Sequence, residues 1–295
     1  MPMTRSRTPR GGTLLELLVA LPLAALLAAV AAATLLGSWR LVRRGDASLG
    51  SMRELRHAQA VLVSELRPLR ARDLRAASDT ALEFDAMLGT GVVCASVTGA
   101  AARVEVAAPD PADSRGISWA SSVQVGDILT LWRTATAGEA LLIEHRTTVQ
   151  GIAWGAACAT SPWLAGWADR RTVRLTLSDP SPTPLAIGAA LSAYRPTRLS
   201  LYRSATGWFL GKRTRNSGAW DVIQPVAGPF LSAGQGGMTT QVIAAAGTVT
   251  GSLAAAAGIR VELRADRTAD GRAAARRDTA VFDVVLRAES AHRAR

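Results

Sequence analysis

The chain has 295 residues, 48% apolar and 19% charged, which excludes an intrinsically disordered chain and leaves room for one large or two small folded units. Lys212 is the only lysine among 34 basic residues. The net charge of +11 is therefore an arginine-rich composition rather than a built phosphate-binding surface, and nucleic acid is not an expected partner.

The first element is Thr13 to Gly37, in which Glu16 is the only charged residue. About 20 apolar residues cross a hydrocarbon core of ~30 Å, so this segment is long enough to span a bilayer. Arg5, Arg7 and Arg10 precede it without an acid, which favours a cytoplasmic N-terminus and the rest of the chain outside, although Arg40, Arg43 and Arg44 follow on the far side. A secretory signal peptide would have the same basic and apolar regions, with Val30 to Thr34 supplying the small residues for cleavage. Glu16 separates the two readings. A carboxylate toward the bilayer centre costs about 2.5 to 3.5 kcal/mol, and a discarded signal has no reason to bear it.

The stretch RGGTLLELLVAL, Arg10 to Leu21, resembles the processing motif of type IV prepilins. In that family a short basic leader ends in Gly, and Glu stands fifth in the mature chain. The resemblance implies removal of residues 1–11 by a prepilin peptidase cutting between Gly11 and Gly12, followed by N-methylation of Gly12. Gly12 departs from the usual Phe or Met at that position. The resemblance also implies a role for Glu16: when subunits pack helix on helix, the carboxylate of one pairs with the N-terminal amine of a neighbour. In a low-dielectric bundle that pair is satisfied only in one register, so Glu16 would act as an assembly ruler.

Beyond the membrane segment (12–37) the helical pattern continues over 38–67. Met52, Leu55, Gln59, Leu62, Leu66 and Leu69 recur three or four residues apart, while Arg53, Glu54, Arg56, Glu65 and Arg67 take other faces. Pro68 sets a boundary near Arg67. Pro22, Gly37, Gly45 and Gly50 predict kinks or local melting within this long helix.

From residue 68 to 288 the pattern is that of strands: Asp127–Arg133, Ala140–Val149, Thr172–Ser178 and Thr197–Arg203 concentrate β-formers between turn residues. Ser204 to Gly207 turns the chain from Thr197–Arg203 into Trp208, Phe209 and Leu210, the clearest hairpin. Gly258–Ala265 pairs with Thr279–Ala288 across an Arg- and Asp-rich loop, and the terminal strand is expected to close the sheet. Ser178–Pro184 is the strongest interior breaker and separates a β-rich insertion, about 81 to 178, from the sheet of about 185 to 288. Ala244–Gly258, rich in small residues, reads as a loop or a poorly filled strand pair. Residues 289–295 are a tail.

Cys94 and Cys158 lie beyond the apolar segment, in what would be an oxidising compartment, and are expected to form a disulfide. Closing a loop of that length stabilises by about 4 kcal/mol in the chain-entropy model. Trp154, Trp163 and Trp167 bracket Cys158, either as packing around the disulfide or as a contact patch. His57, His145 and His292 form no metal motif and there is no C-x-x-C, so no metal or cofactor is expected. Gly207–Arg213 is one residue short of a phosphate loop, and Glu83 with Asp85 has no further support as a catalytic acid pair.

The motif, the length and the C-terminal strand pattern are together similar to the large W/J-type minor pilins. The resemblance implies an α+β, pilin-like fold: a long N-terminal helix, half transmembrane and half amphipathic, packed on an antiparallel sheet with a β-rich insertion. It implies a non-enzymatic subunit, anchored once in the inner membrane with a periplasmic domain, that helps initiate and cap a type IV pilus. Its partners would be the prepilin peptidase, other minor pilins and the major pilin. A J-type pseudopilin of a type II secretion system, and an exported soluble β-rich binding protein, are the alternatives.

Overall fold

The computed structural model describes residues 14–97, 103–107, 118–134, 142–157, 171–179, 185, 187–266 and 278–288. It is an α+β protein with one long N-terminal helix, α1 (Leu14–Leu66), and fourteen strands among the described residues. The chain divides into two compact units, Met1–Gly50 and Ser51–Arg295.

Helical structure persists through Pro22, Gly37, Gly45 and Gly50, so the local melting expected there does not occur. Each glycine costs only about 1 kcal/mol against alanine, and the intervening Ala and Leu residues are strong helix formers.

In the second unit the helix buries Leu55, Ala58, Leu62 and Leu66, with Leu69 just beyond it. Ala58 joins this face in place of Gln59, and Met52 stays exposed, so the stripe is shifted from the expected one by a small residue. Fully burying each of these leucines contributes about 1.5 to 3 kcal/mol. Pro68 and the short 3-10 turn Ala71–Asp73 then lead into β1 (Leu74–Ser78).

The strands that follow are β2 (Ala81–Val97), β3 (Arg103–Ala107), β4 (Ser118–Trp119), β5 (Ile128–Thr134), β6 (Leu142–Ala157), β7 (Arg171–Leu177), β8 (Ala190–Ser204), β9 (Gly207–Asn216), β10 (Ala219–Trp220), β11 (Gln224–Phe230), β12 (Met238–Ala244), β13 (Ala256–Arg264) and β14 (Thr279–Val285). The expected hairpin is β8 with β9, closed through Ser204 and Gly207, and its Tyr202 faces Phe209 as a cross-strand aromatic pair with centroids 6.3 Å apart.

The insertion is not a separate unit. β2 and β8 pair along most of their length, from Ala81 with Ser200 to Val92 with Ala190. β8 also changes its other neighbour: Leu191–Tyr194 pair with β5, and Thr197–Ser204 pair with β9. Following the ladders from β2 through β3, β7, β6, β5 and β8 returns to β2, so six strands form a closed circuit without a free edge. The division between the two cores therefore runs across β2 and β8 rather than at Ser178–Pro184. Leu82, Phe84, Leu199 and Leu201 belong to the core under the helix, whereas Leu88, Val93, Leu191 and Ala193 fill the closed circuit with Val104, Leu129, Val149 and Leu175.

The terminal strand does not close the main sheet. β12, β13 and β14 make a separate three-stranded antiparallel sheet, whose Met238, Ile259, Val261, Leu263 and Val284 pack into the helix core. The helix thus needs apolar cover from two sheets. The turn between the sheets requires glycine at one point: a Cβ on Gly237 would lie 1.8 Å from the Leu231 carbonyl oxygen. Of Ala244–Gly258, residues 245–255 form the loop between β12 and β13, with one 3-10 turn at Leu253–Ala255, while Ala244 and Ala256–Gly258 belong to the strands.

Candidate functional site

Glu16 lies in the first turn of α1, where a carboxylate is favoured by the helix dipole, and it is exposed. After it, Leu17 to Trp39 contains no charged residue. At 1.5 Å per residue these span about 34 Å, enough for a hydrocarbon core. Among the described residues this is the one helix long and apolar enough to cross a membrane, and its apolar window is entirely unburied within the protein. Leu17, Leu21, Leu27, Val30 and Leu36 all face outward.

The polar groups in this stretch are closed on the helix itself. Thr34 Oγ1 donates to the Val30 and Ala31 carbonyls at 3.1 and 2.9 Å, and Ser38 Oγ donates to the Leu35 carbonyl at 2.9 Å. An apolar solvent demands that kind of internal satisfaction. At the end of the uncharged run, the Arg43 guanidinium sits 5.3 Å from the centroid of the exposed Trp39 ring, the aromatic and cationic pairing typical of a membrane interface.

In the second unit the helix sorts its charges. Glu54 Oε2 accepts from Gly228 N at 3.1 Å, and Glu65 accepts from Lys212 Nζ on β9. The acids are thereby held against the sheets. The solvent face is left with Arg53, Arg56, His57 and Arg67, and a shallow groove there is lined by Arg56, Gln59, Ala60, Val63, Ser64 and Arg67.

A cluster of ionic groups joins the 3-10 turn after the helix to the closed circuit. Arg146 on β6 donates to Asp73 Oδ1 at 3.0 Å and also to Asp85 on β2, and Asp85 accepts a second bond from Arg75 Nε at 2.5 Å. Burial pushes the Asp85 carboxyl above its ordinary range, outweighing the pull of Arg75 and Arg146. Burial, and next the Asp73 charge, likewise raise the Tyr194 phenol, whose ring lies 5.7 Å from the Arg146 guanidinium. Glu144 accepts from Arg72, and Arg70 lies over Trp132. These groups bind one another; their position between two parts of the fold suits a clamp.

Of the residues singled out from sequence, Gly11, Gly12, Cys158, Trp163, Trp167 and His292 lie outside the described residues. Cys94 is fully buried in β2, no described cysteine is free, and its apolar neighbours are Ala107, Val92 and Trp119. Trp154 is 69% exposed and so does not serve as packing. It borders an apolar hollow of about 220 Å³ with Trp119, Val123, Ile152 and Val173. His57 is exposed on the helix, and His145 Nε2 lies 3.0 Å from the Asp179 carbonyl oxygen. Glu83 is paired with Arg198 at 2.8 Å, and Gly207–Arg213 is part of β9 rather than a loop. Among the described residues no group of three His, Cys, Asp or Glu side chains is placed to hold a metal.

No protein-family model matches this chain, and no curated protein and no solved structure matches it either.

Proposed function

We propose that this chain is a prepilin-like subunit of the minor-pilin kind, processed between Gly11 and Gly12 and anchored by α1 in the inner membrane. It primes a type IV pilus and stays at or near its tip. The observation that carries the reading is Glu16 in the first helical turn, ahead of an uncharged, outward-facing helical run from Leu17 to Trp39. A lone acid there is costly in lipid and useful in a bundle, where the N-terminal amine of a neighbouring subunit neutralises it. The amphipathic helix covered by antiparallel strands fits the same reading. The J-type pseudopilin of a type II secretion system uses identical chemistry and is the second reading. In the periplasm Cys94 pairs with Cys158, the other cysteine of the chain.

The test is Glu16→Ala beside Glu16→Asp in cells that assemble the fibre. Removing the carboxylate should abolish incorporation into fibres while membrane levels of the protein persist, and Asp should restore part of it. An exported soluble protein would be indifferent to both changes.

A further inference from the structure

The inner face of the closed circuit is left open at one end. On β7 the inward residues are Val173, Leu175 and Leu177, which pack in or against its core. β6 pairs Val149 with Leu177 and then carries one extra residue, so that Ile152 stands opposite Leu175 and Trp154 opposite Val173. Residues directly opposite in an antiparallel ladder share a face, and a shift of one residue exchanges the two faces of a strand. Without the bulge Gly151 and Ala153 would look inward; with it the larger Ile152 and Trp154 do. Leu175 is buried, yet Ile152 is 42% and Trp154 69% exposed. Two large apolar side chains of an inner face thus border an opening instead of a core.

That opening is the hollow of about 220 Å³, which the buried Val106 and Leu175 line together with Trp119, Val123 and Trp154. A glycine admits one of these walls: a Cβ on Gly91 would lie 2.8 Å from Trp119 Cζ2, so the Trp119 ring takes the space of the missing side chain on β2. Among the described residues no charged side chain lines the hollow, and Ser122 supplies its one hydroxyl. A charged ligand would lose its water there without replacement bonds. A cavity of about 150 Å³ lined by aliphatic and aromatic side chains takes up benzene, so this one admits a substituted or fused ring. Two indoles in its wall favour a flat aromatic partner, through offset or edge contacts, over an aliphatic one.

We propose that this mouth of the circuit binds a small uncharged aromatic compound of one or two rings, packed against Trp119 and Trp154 over Val106 and Leu175. The mouths of β-barrels are recurrent sites for apolar ligands. The bound ring covers Trp154 and completes the burial that the bulge prepares. The site lies wholly in the second unit and uses nothing of the pilus reading, so either stands if the other fails.

The test uses the full chain in phospholipid nanodiscs with fluoroindole as the probe, read by fluorine NMR against empty nanodiscs. Saturable binding of one probe per chain is expected. Trp154→Ala should weaken it at least about tenfold, and Val173→Phe, which fills the hollow, should abolish it. Trp154 is exposed, so its replacement spares the fold, and an unchanged urea midpoint checks this. The comparators are fluorobenzoate, a ring with a charge, and fluorohexanol, an aliphatic chain; neither should bind. Uptake no greater than in empty nanodiscs overturns the proposal, as does binding that survives both variants or is matched by either comparator. Binding that appears only when Trp163→Ala and Trp167→Ala are combined means that the chain fills its own hollow, and overturns it too.

Discussion

Arg195 and Asp127 are joined by two parallel hydrogen bonds of 2.8 Å, Nε to Oδ1 and Nη2 to Oδ2, at a point where Asp127 has no solvent exposure. Arg195 Nη2 also donates to the Ser122 carbonyl at 2.8 Å, and Gln124 N donates to Asp127 Oδ2 at 2.7 Å. The pair fixes the turn before β5 against β8 in the closed circuit.

Removing one member leaves the other charge buried and uncompensated. Asp127→Ala should therefore cost about 3 to 5 kcal/mol, whereas replacing both Asp127 and Arg195 by apolar residues of similar volume should cost much less. Urea unfolding followed by tryptophan fluorescence measures both. Equal losses for the single and double replacements would contradict the assignment.

Asp85 makes stability depend on pH in a particular sense. Burial raises its folded pKa above the unfolded value, despite the opposing pull of Arg75 and Arg146. The folded state then binds the proton more tightly than the unfolded state does. Its contribution improves as pH falls through the folded pKa and is complete below the unfolded value. Wild type should gain stability relative to Asp85→Asn as pH falls toward the ordinary carboxylate range. A loss over that range, seen in denaturant midpoints, would mean that the two arginines win over burial.

Cys94 sits fully buried beside Ala107 and Trp119 on the closed circuit. Peptide mapping of the exported protein without reductant should recover Cys94 and Cys158 in one linked species, and Cys94→Ser should cost roughly 2 to 5 kcal/mol. Two alkylatable thiols would remove the disulfide from the account.

Leu27 is 68% exposed and lies near the middle of the uncharged run. Leu27→Arg should cost about 2.5 to 3.5 kcal/mol of insertion and shift the protein into the alkali-extractable fraction of membranes. Retention equal to wild type would argue against a spanning helix.

The helix was legible because its evidence is local: apolar residues three or four apart, a proline at its end, and an uncharged run of membrane length. The β8–β9 hairpin was legible for the same reason, its turn lying between two β-rich runs. The closed circuit was not, because the Val92–Ala190 pairing and its neighbours join residues far apart in sequence and leave no periodic mark. For the same reason nothing in the sequence joins Asp73, Asp85 and Asp127 to their partners, and only strand register selects Arg146 and Arg195 from among the arginines. The separate three-stranded sheet was missed because one apolar stripe on the helix does not say how many sheets cover it.

The most direct test is the mass of the mature N-terminus, in cells with and without an active prepilin peptidase. A methylated chain beginning at Gly12, which disappears when the peptidase is absent, is the expected result. A chain beginning near Thr34 in both strains would show that signal peptidase had removed the apolar segment, and it would contradict the assembly role given to Glu16.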